Sequence, residues 1–273
     1  MKNKFLNHLL KISSLSAILI CLYFPQTTLA ANKEKKIAET EKVYYNNEAK
    51  NIYKKIKNAN DHAKLNYNST IKEINKTQKQ LDNQKNNDTP VFHTLGLNKT
   101  FYRTTLQGLA LTMGSFDLET AGNFLWHSLD DHPKARSFPA GSTYSNGFSN
   151  TAVYSTISKK MAAKIKSENK KGHKAIGGSN LSAATSAGNA GLDWYLTIGK
   201  FAYDWYAEKQ SGGKWKVWIG IHDTYDYQTI KKSGGGIPGA IVKVANNYAA
   251  DAQKAGALVP YNIDMYMEQT YKP

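Results

Sequence analysis

The 273-residue chain carries 36 Lys and Arg against 21 Asp and Glu, a formal net charge of +15, and has one cysteine. That residue, Cys21, lies in an apolar leader, so the rest of the chain has no disulfide, no thiol nucleophile and no thiolate metal site. Arg103 and Arg136 are the only arginines. The basic surface is therefore made of hydrated lysine charges, which favour anionic partners in general and also keep a protein soluble.

The leader reads as a secretory signal. Lys2, Lys4 and Lys11 form its basic start, Ile12 to Phe24 its apolar stretch, and Thr28-Leu29-Ala30 its cleavage site. The stretch is short for a spanning helix and is interrupted by serines, so cleavage after Ala30 is expected, with no transmembrane segment left behind. Cleavage removes three of the positive charges and leaves +12. The expected destination is outside the cytoplasm of a bacterium, periplasmic or extracellular.

Residues 31–90 are rich in Lys, Asn, Glu and Gln. Ile52, Ile56, Ala59, Ala63, Tyr67, Ile71, Ile74 and Leu81 recur three and four apart, which places them on one face of a long helix. A loose coiled coil, a stalk and a helix packed on the body all satisfy this pattern, and self-association through 31–88 is one expectation. No chemistry is expected here, and Asn86 to Pro90 reads as a hinge.

Residues 91–273 hold all five tryptophans and read as one globular domain. Ser115 is placed to cap a helix with Leu118, Ala121 and Leu125, ending near Pro133. Asn150 is placed to cap a second, with Val153, Ile157, Met161 and Ile165 in its stripe and Gly172 as its stop. From Gly172 to Gly191 the composition suggests a long mobile connection. Trp194 to Ala207 and Lys214 to Asp223 read as strands joined by a turn at Gly212-Gly213. A helix is expected from Pro238 to Gly256, then a last strand from Val259 to Tyr271. The expected fold is α+β, an antiparallel sheet with helices packed on one face, preceded by the long N-terminal, coiled-coil-like helical segment.

The densest chemistry is His222-Asp223-Thr224-Tyr225-Asp226 at the end of an alternating strand. If the strand persists to Tyr225, Asp223 and Tyr225 share one face and His222 lies on the other. Asp223 and Asp226 suit a hard cation such as magnesium, and His222 suits a general base. The same string is also good turn chemistry. A second candidate is His127, Asp131 and His132, where His127 and Asp131 are four apart as metal-binding pairs are. The acidic pair Asp130-Asp131 opposes the helix dipole, and Arg136 is the nearest compensating charge. Lys159, Lys160, Lys164, Lys166, Lys170 and Lys171 flank an apolar stripe, as in helices that meet anionic surfaces or solvent. No phosphate-loop, serine-hydrolase or nucleic-acid-binding signature occurs, so no nucleic-acid partner is expected.

Gly213-Lys214-Trp215, then Asp223-Thr224-Tyr225-Asp226 and Tyr227, resembles the strand and DxYD motif of the colicin M family, bacteriocins that cleave lipid II with magnesium. Phe124-Leu125-Trp126 is similar to an upstream helical sequence of that family. The resemblance implies an α/β activity domain around an antiparallel sheet, with Asp223, Tyr225 and Asp226 as motif residues. It also implies phosphodiester or pyrophosphate cleavage of a lipid-linked cell-wall precursor and an immunity partner. Lys232 and Ser233 stand where the family has a His-Arg pair, which leaves His222 as the substitute acid/base. The expected function is an exported, envelope-directed, toxin-like hydrolase acting on an anionic or lipid-linked envelope component. The alternative is a non-enzymatic exported binding protein with a helical assembly arm.

Overall fold

The computed structural model describes residues 42–85, 99–227 and 247–273. The leader, the string 86–90, Lys232, Ser233, the glycines at 234–236 and the helix start at Pro238 lie outside the described residues. The described residues divide into two compact units, each built from segments far apart in sequence: 42–79, 134–225 and 261–273 form one, and 80–85, 99–133, 226–227 and 247–260 the other.

The described elements are, in order, β1 (Tyr44–Tyr45), α1 (Asn46–Lys85), α2 (Lys99–Met113), α3 (Glu119–His127), β2 (Arg136–Phe138), α4 (Thr143–Ser149), α5 (Ala152–Lys170), β3 (Ala175–Ala184), α6 (Ala187–Ala190), α7 (Leu192–Thr197), β4 (Lys200–Lys209), β5 (Trp215–Tyr225) and β6 (Tyr261–Tyr271). Residues 247–254 are also helical.

In the first unit the strands form one six-stranded sheet in the order β1-β3-β4-β5-β6-β2. The expected alternation of β5 is present, with Trp215, Val217, Ile219 and Ile221 buried on one face. They stand opposite Lys209, Ala207, Trp205 and Tyr203 of β4, and Tyr271, Gln269, Met267 and Met265 of β6. Helices α4 and α5 cover this face: Phe148 meets Phe201 edge-on at 5.6 Å, and Tyr154 and Ser158 donate to Gln269 at 3.4 and 3.2 Å. Trp205 and Trp215 are fully buried there, each removing enough apolar surface for roughly 2–3 kcal/mol.

The sheet is mixed rather than antiparallel, because β2 runs parallel to β6. Helices also cover both faces rather than one. The second face presents Tyr206, Trp218 and Tyr266, large rings that need cover as much as the first face does. Helix α1 supplies it. Ala49, Ile52, Ile56 and Ala63 form one cluster with Ala175, Tyr206, Trp218 and Tyr266, and Tyr53 packs on Tyr206 and Trp218 at 4.9 and 4.8 Å. Of the three arrangements open to this helix, its first half is therefore packed on the body.

The connection expected between Gly172 and Gly191 is instead the ten-residue strand β3. Its glycines are there for clearance. A Cβ on Gly177 would fall 2.9 Å from Trp205 O and 3.2 Å from Ile52, and one on Gly178 only 2.4 Å from the Trp205 indole nitrogen. A register shift follows between Gly178 and Leu181, where Asn180 takes φ 57°. The run expected as a strand from Trp194 begins as α7, and β4 starts only at Lys200. Helix α5 is capped by Thr151, one residue later than expected: its hydroxyl accepts from Tyr154 N at 3.3 Å and donates to Phe148 O at 2.7 Å. Gly172, at φ 84°, follows its end as expected.

The second unit is helical in its described part. Helix α2 packs against α3, and Gly122 sits so close to Ala110 O that a Cβ would fall at 2.8 Å. Tyr102 meets Tyr248 at 5.0 Å, Trp126 Nε1 donates to Gln80, and Val259 N donates to Ser128 O at 2.7 Å. Helix α3 is shorter than expected: Leu118 is its cap residue with no side-chain bond, and it ends at His127, where Ser128 Oγ donates to Leu125 O. No described helix is long and apolar enough to cross a membrane.

Candidate functional site

Strand β5 does persist to Tyr225, so His222 and Asp223 leave it on opposite faces. The face of His222 holds the polar cluster. His222 lies opposite Asp264 of β6, and its Nδ1 is 2.7 Å from Asp264 Oδ1. A carboxylate at that distance makes Nδ1 the donor and leaves Nε2 to take or give a proton. Ser137 Oγ of β2 donates to the other Asp264 oxygen at 3.3 Å. The imidazole has room because position 220 is glycine: a Cβ there would lie 3.3 Å from His222 Nε2 and 3.4 Å from the Tyr266 ring.

Beyond Nε2, at 4.0 Å, stands Asp204 of β4, whose side chain is 3% exposed. Its oxygens accept from Ser179 Oγ (2.7 Å), Asn180 N (2.8 Å) and Lys55 Nζ (2.7 Å). Burial pushes the Asp204 carboxyl up, but these hydrogen bonds outweigh it and hold the group below the usual carboxylate range. Burial, with the charges of Asp264 and Asp204, raises the Tyr266 phenol, which stays protonated. The site thus combines an oriented imidazole, 32% exposed, with an ionised buried carboxylate and an ammonium that is 61% exposed.

The motif residues are used otherwise. Asp223 Oδ2 accepts from Gly199 N at 3.2 Å and Oδ1 from Thr224 N at 2.9 Å, tying the end of β5 to the turn that enters β4. Tyr225 is buried and stacked on Tyr261 at 5.3 Å, and the Arg136 guanidinium lies 5.9 Å from the Tyr261 ring. Asp226 is exposed just after the strand. Among the described residues, no group of three or more His, Cys, Asp or Glu side chains is arranged to hold a metal ion.

The second candidate is not gathered on a helix face, because α3 stops at His127 and Asp131 and His132 lie beyond it. His127 is buried, with Nδ1 3.8 Å from Asp130. The charge that compensates this acidic pair is not Arg136, which is buried in the sheet unit. Asp131 pairs with Lys99 and with Arg103 at 2.8 Å, and these two hold its carboxyl well below the usual range.

Sequence reasoning found His222 but missed Asp204, Ser179 and Lys55. Asp204 was legible as the lone charge inside Phe201-Ala-Tyr-Asp-Trp-Tyr206, a strand run that had no other reason to carry one. Asp264 lies within the expected last strand, and only the register brings it to His222. Lys55 lies on a helix expected to hold no chemistry. No protein-family model matches the chain, and neither a curated protein nor a solved structure matches it.

Proposed function

We propose that the chain is an exported hydrolase of phosphodiester or pyrophosphate bonds in an anionic, lipid-linked envelope component, with His222 as its general acid/base. The observation that carries this reading is the His222–Asp264 pair at 2.7 Å, which leaves Nε2 facing Asp204 at 4.0 Å, the carboxylate that pairs with the exposed Lys55 ammonium. In this mechanism Nε2 takes a proton from water as the water oxygen bonds to phosphorus. The P–O bond to the leaving group breaks, and the leaving oxygen is protonated in turn. Lys55 offers its charge to a phosphate oxygen, and Asp204 holds Lys55 in place.

The resemblance to colicin M agrees with the reaction class but assigns the work to Asp223, Tyr225 and Asp226. Magnesium is expected through Asp223 and Asp226. Asp223 already accepts two backbone N–H groups, so the proton transfer proposed here passes through His222 and asks nothing of the ion. The same use of Asp223 and the burial of Tyr225 favour the second reading, a non-enzymatic binding protein. Its assembly through residues 31–88 would have to use the outward side of α1, since the inward side is core.

The test is cleavage of lipid II by the purified chain, with and without magnesium. His222→Ala should lose roughly 100-fold or more of the rate, and Asp264→Asn roughly 10–100-fold. A folded wild type that leaves lipid II intact, or a His222→Ala variant as fast as wild type, sinks the proposal. Concentration-dependent sedimentation of an inactive chain would then favour the assembly reading.

A further inference from the structure

Helix α5 buries Val153, Ile157, Met161 and Ile165 against the sheet, so whatever it presents outward is not needed for folding. From Ala152 to Lys174 the chain has seven lysines and one carboxylate, Glu168. Glu168 is itself buried and spent within the unit: it accepts from Lys171 at 2.9 Å and stands 2.8 Å from His173 Nδ1. At 3.6 residues per turn, Lys159, Lys166 and Lys170 fall within about 40° of one another, opposite the buried stripe. All three are exposed, as are Lys160 and Lys171 beside them. The ridge continues past the helix. Lys209 N donates to Lys174 O, so β3 and β4 bring Lys174, Lys209 and Lys214 to the same end of the sheet. No exposed carboxylate of α5 interrupts this surface.

We infer that this lysine ridge docks on an anionic phospholipid bilayer. Charge complementarity names the class of partner, and two features choose the bilayer over nucleic acid. Neither arginine of the chain is on α5, so the ridge lacks the planar forks that read phosphates and bases. The rings beside Lys171, Tyr45 and His173, pack on each other at 4.5 Å, and His173 is held by Glu168, so both are engaged within the unit and offer no open platform for a base. Lysine point charges suit headgroups that move freely beneath them, and since the apolar stripe is already buried, attachment is peripheral and screened by salt. The inference is independent of the catalytic reading: vesicle binding is measured with no hydrolysis required.

The experiment is co-sedimentation of residues 31–273, the chain expected after leader cleavage, with vesicles of phosphatidylglycerol mixed equally with phosphatidylcholine, and with phosphatidylcholine alone, at physiological salt. Wild type should bind only the first. Each lysine near an anionic surface is worth roughly fivefold in affinity. The triple variant Lys159→Gln, Lys166→Gln, Lys170→Gln should therefore lose roughly 100-fold. Lys50→Gln, Lys54→Gln, Lys76→Gln makes the same charge change at exposed positions of α1 and should keep wild-type binding. Loss below tenfold in the α5 variant, or equal loss in the α1 variant, overturns the inference. Binding of single-stranded DNA without binding of the anionic vesicles overturns it as well.

Discussion

Asp204 is a buried carboxylate in an aromatic strand, and replacing it separates the charge from the hydrogen bonds. In Asp204→Ala, the Ser179 hydroxyl and the Asn180 N–H lose their acceptor, Ser179 being half-buried and Asn180 exposed. An orphaned buried donor costs about 1–3 kcal/mol, and these two, within reach of water, fall near 1 kcal/mol each. Lys55 is mostly exposed and turns to solvent, so its ion pair adds at most about 1 kcal/mol. The sum is a loss of about 3 kcal/mol. Asp204→Asn keeps an oxygen for Ser179 and Asn180 and forfeits only the charge, so about 1 kcal/mol is expected. The assay is urea unfolding followed by tryptophan fluorescence, since Trp194, Trp205, Trp215 and Trp218 all lie in the sheet unit. The midpoint should fall about three times as far for Ala as for Asn, with the slope unchanged. Equal losses in the two variants would show that charge, not acceptor geometry, dominates, and would refute this reasoning.

Gly178→Ala should destabilise by about 1–3 kcal/mol, read as a lower melting temperature, because the new Cβ meets the buried Trp205 indole. Thr151→Ala should cost about 1 kcal/mol in urea unfolding through loss of the α5 cap, and Thr151→Ser should restore it. Acid should unfold the sheet unit through Asp204 and Glu168. Burial pushes both carboxyls up, but Lys55, Ser179 and Asn180 for the first, and Lys171 and His173 for the second, hold them below the usual range. A lowered folded-state pKa gives stability that is complete above the unfolded value near 4 and is lost as pH falls through the folded one. The double variant Asp204→Asn, Glu168→Gln should therefore show a shallower loss of stability below about pH 4, measured by urea midpoints, and little change in slope between pH 5 and 7.

The local patterns were legible because they depend on short-range periodicity. The alternation of β5, the i+4 stripe of α5 and the glycine turn at 212–213 need no knowledge of neighbours. The string Gly-Gly-Ser-Asn at 177–180 was misread because glycine has two uses, freedom and clearance. Here it is clearance, for the Trp205 indole from β4 and the Ile52 side chain from α1. Similarly, α3 was drawn too long because only the chain's path after His127 decides where that helix stops.

The sequence by itself determined that a long amphipathic helix exists, that β5 is an alternating strand with His222 and Asp223 on opposite faces, and that the surface is lysine-rich. Those follow from residue spacing and composition. Only the tertiary structure decided that α1 covers the second face of the sheet, that β2 joins it in parallel, and that His222 meets Asp264 with Asp204 and Lys55 beyond. Strand register and helix docking bring together side chains 149 positions apart, as Lys55 and Asp204 are, and such pairing leaves no local trace.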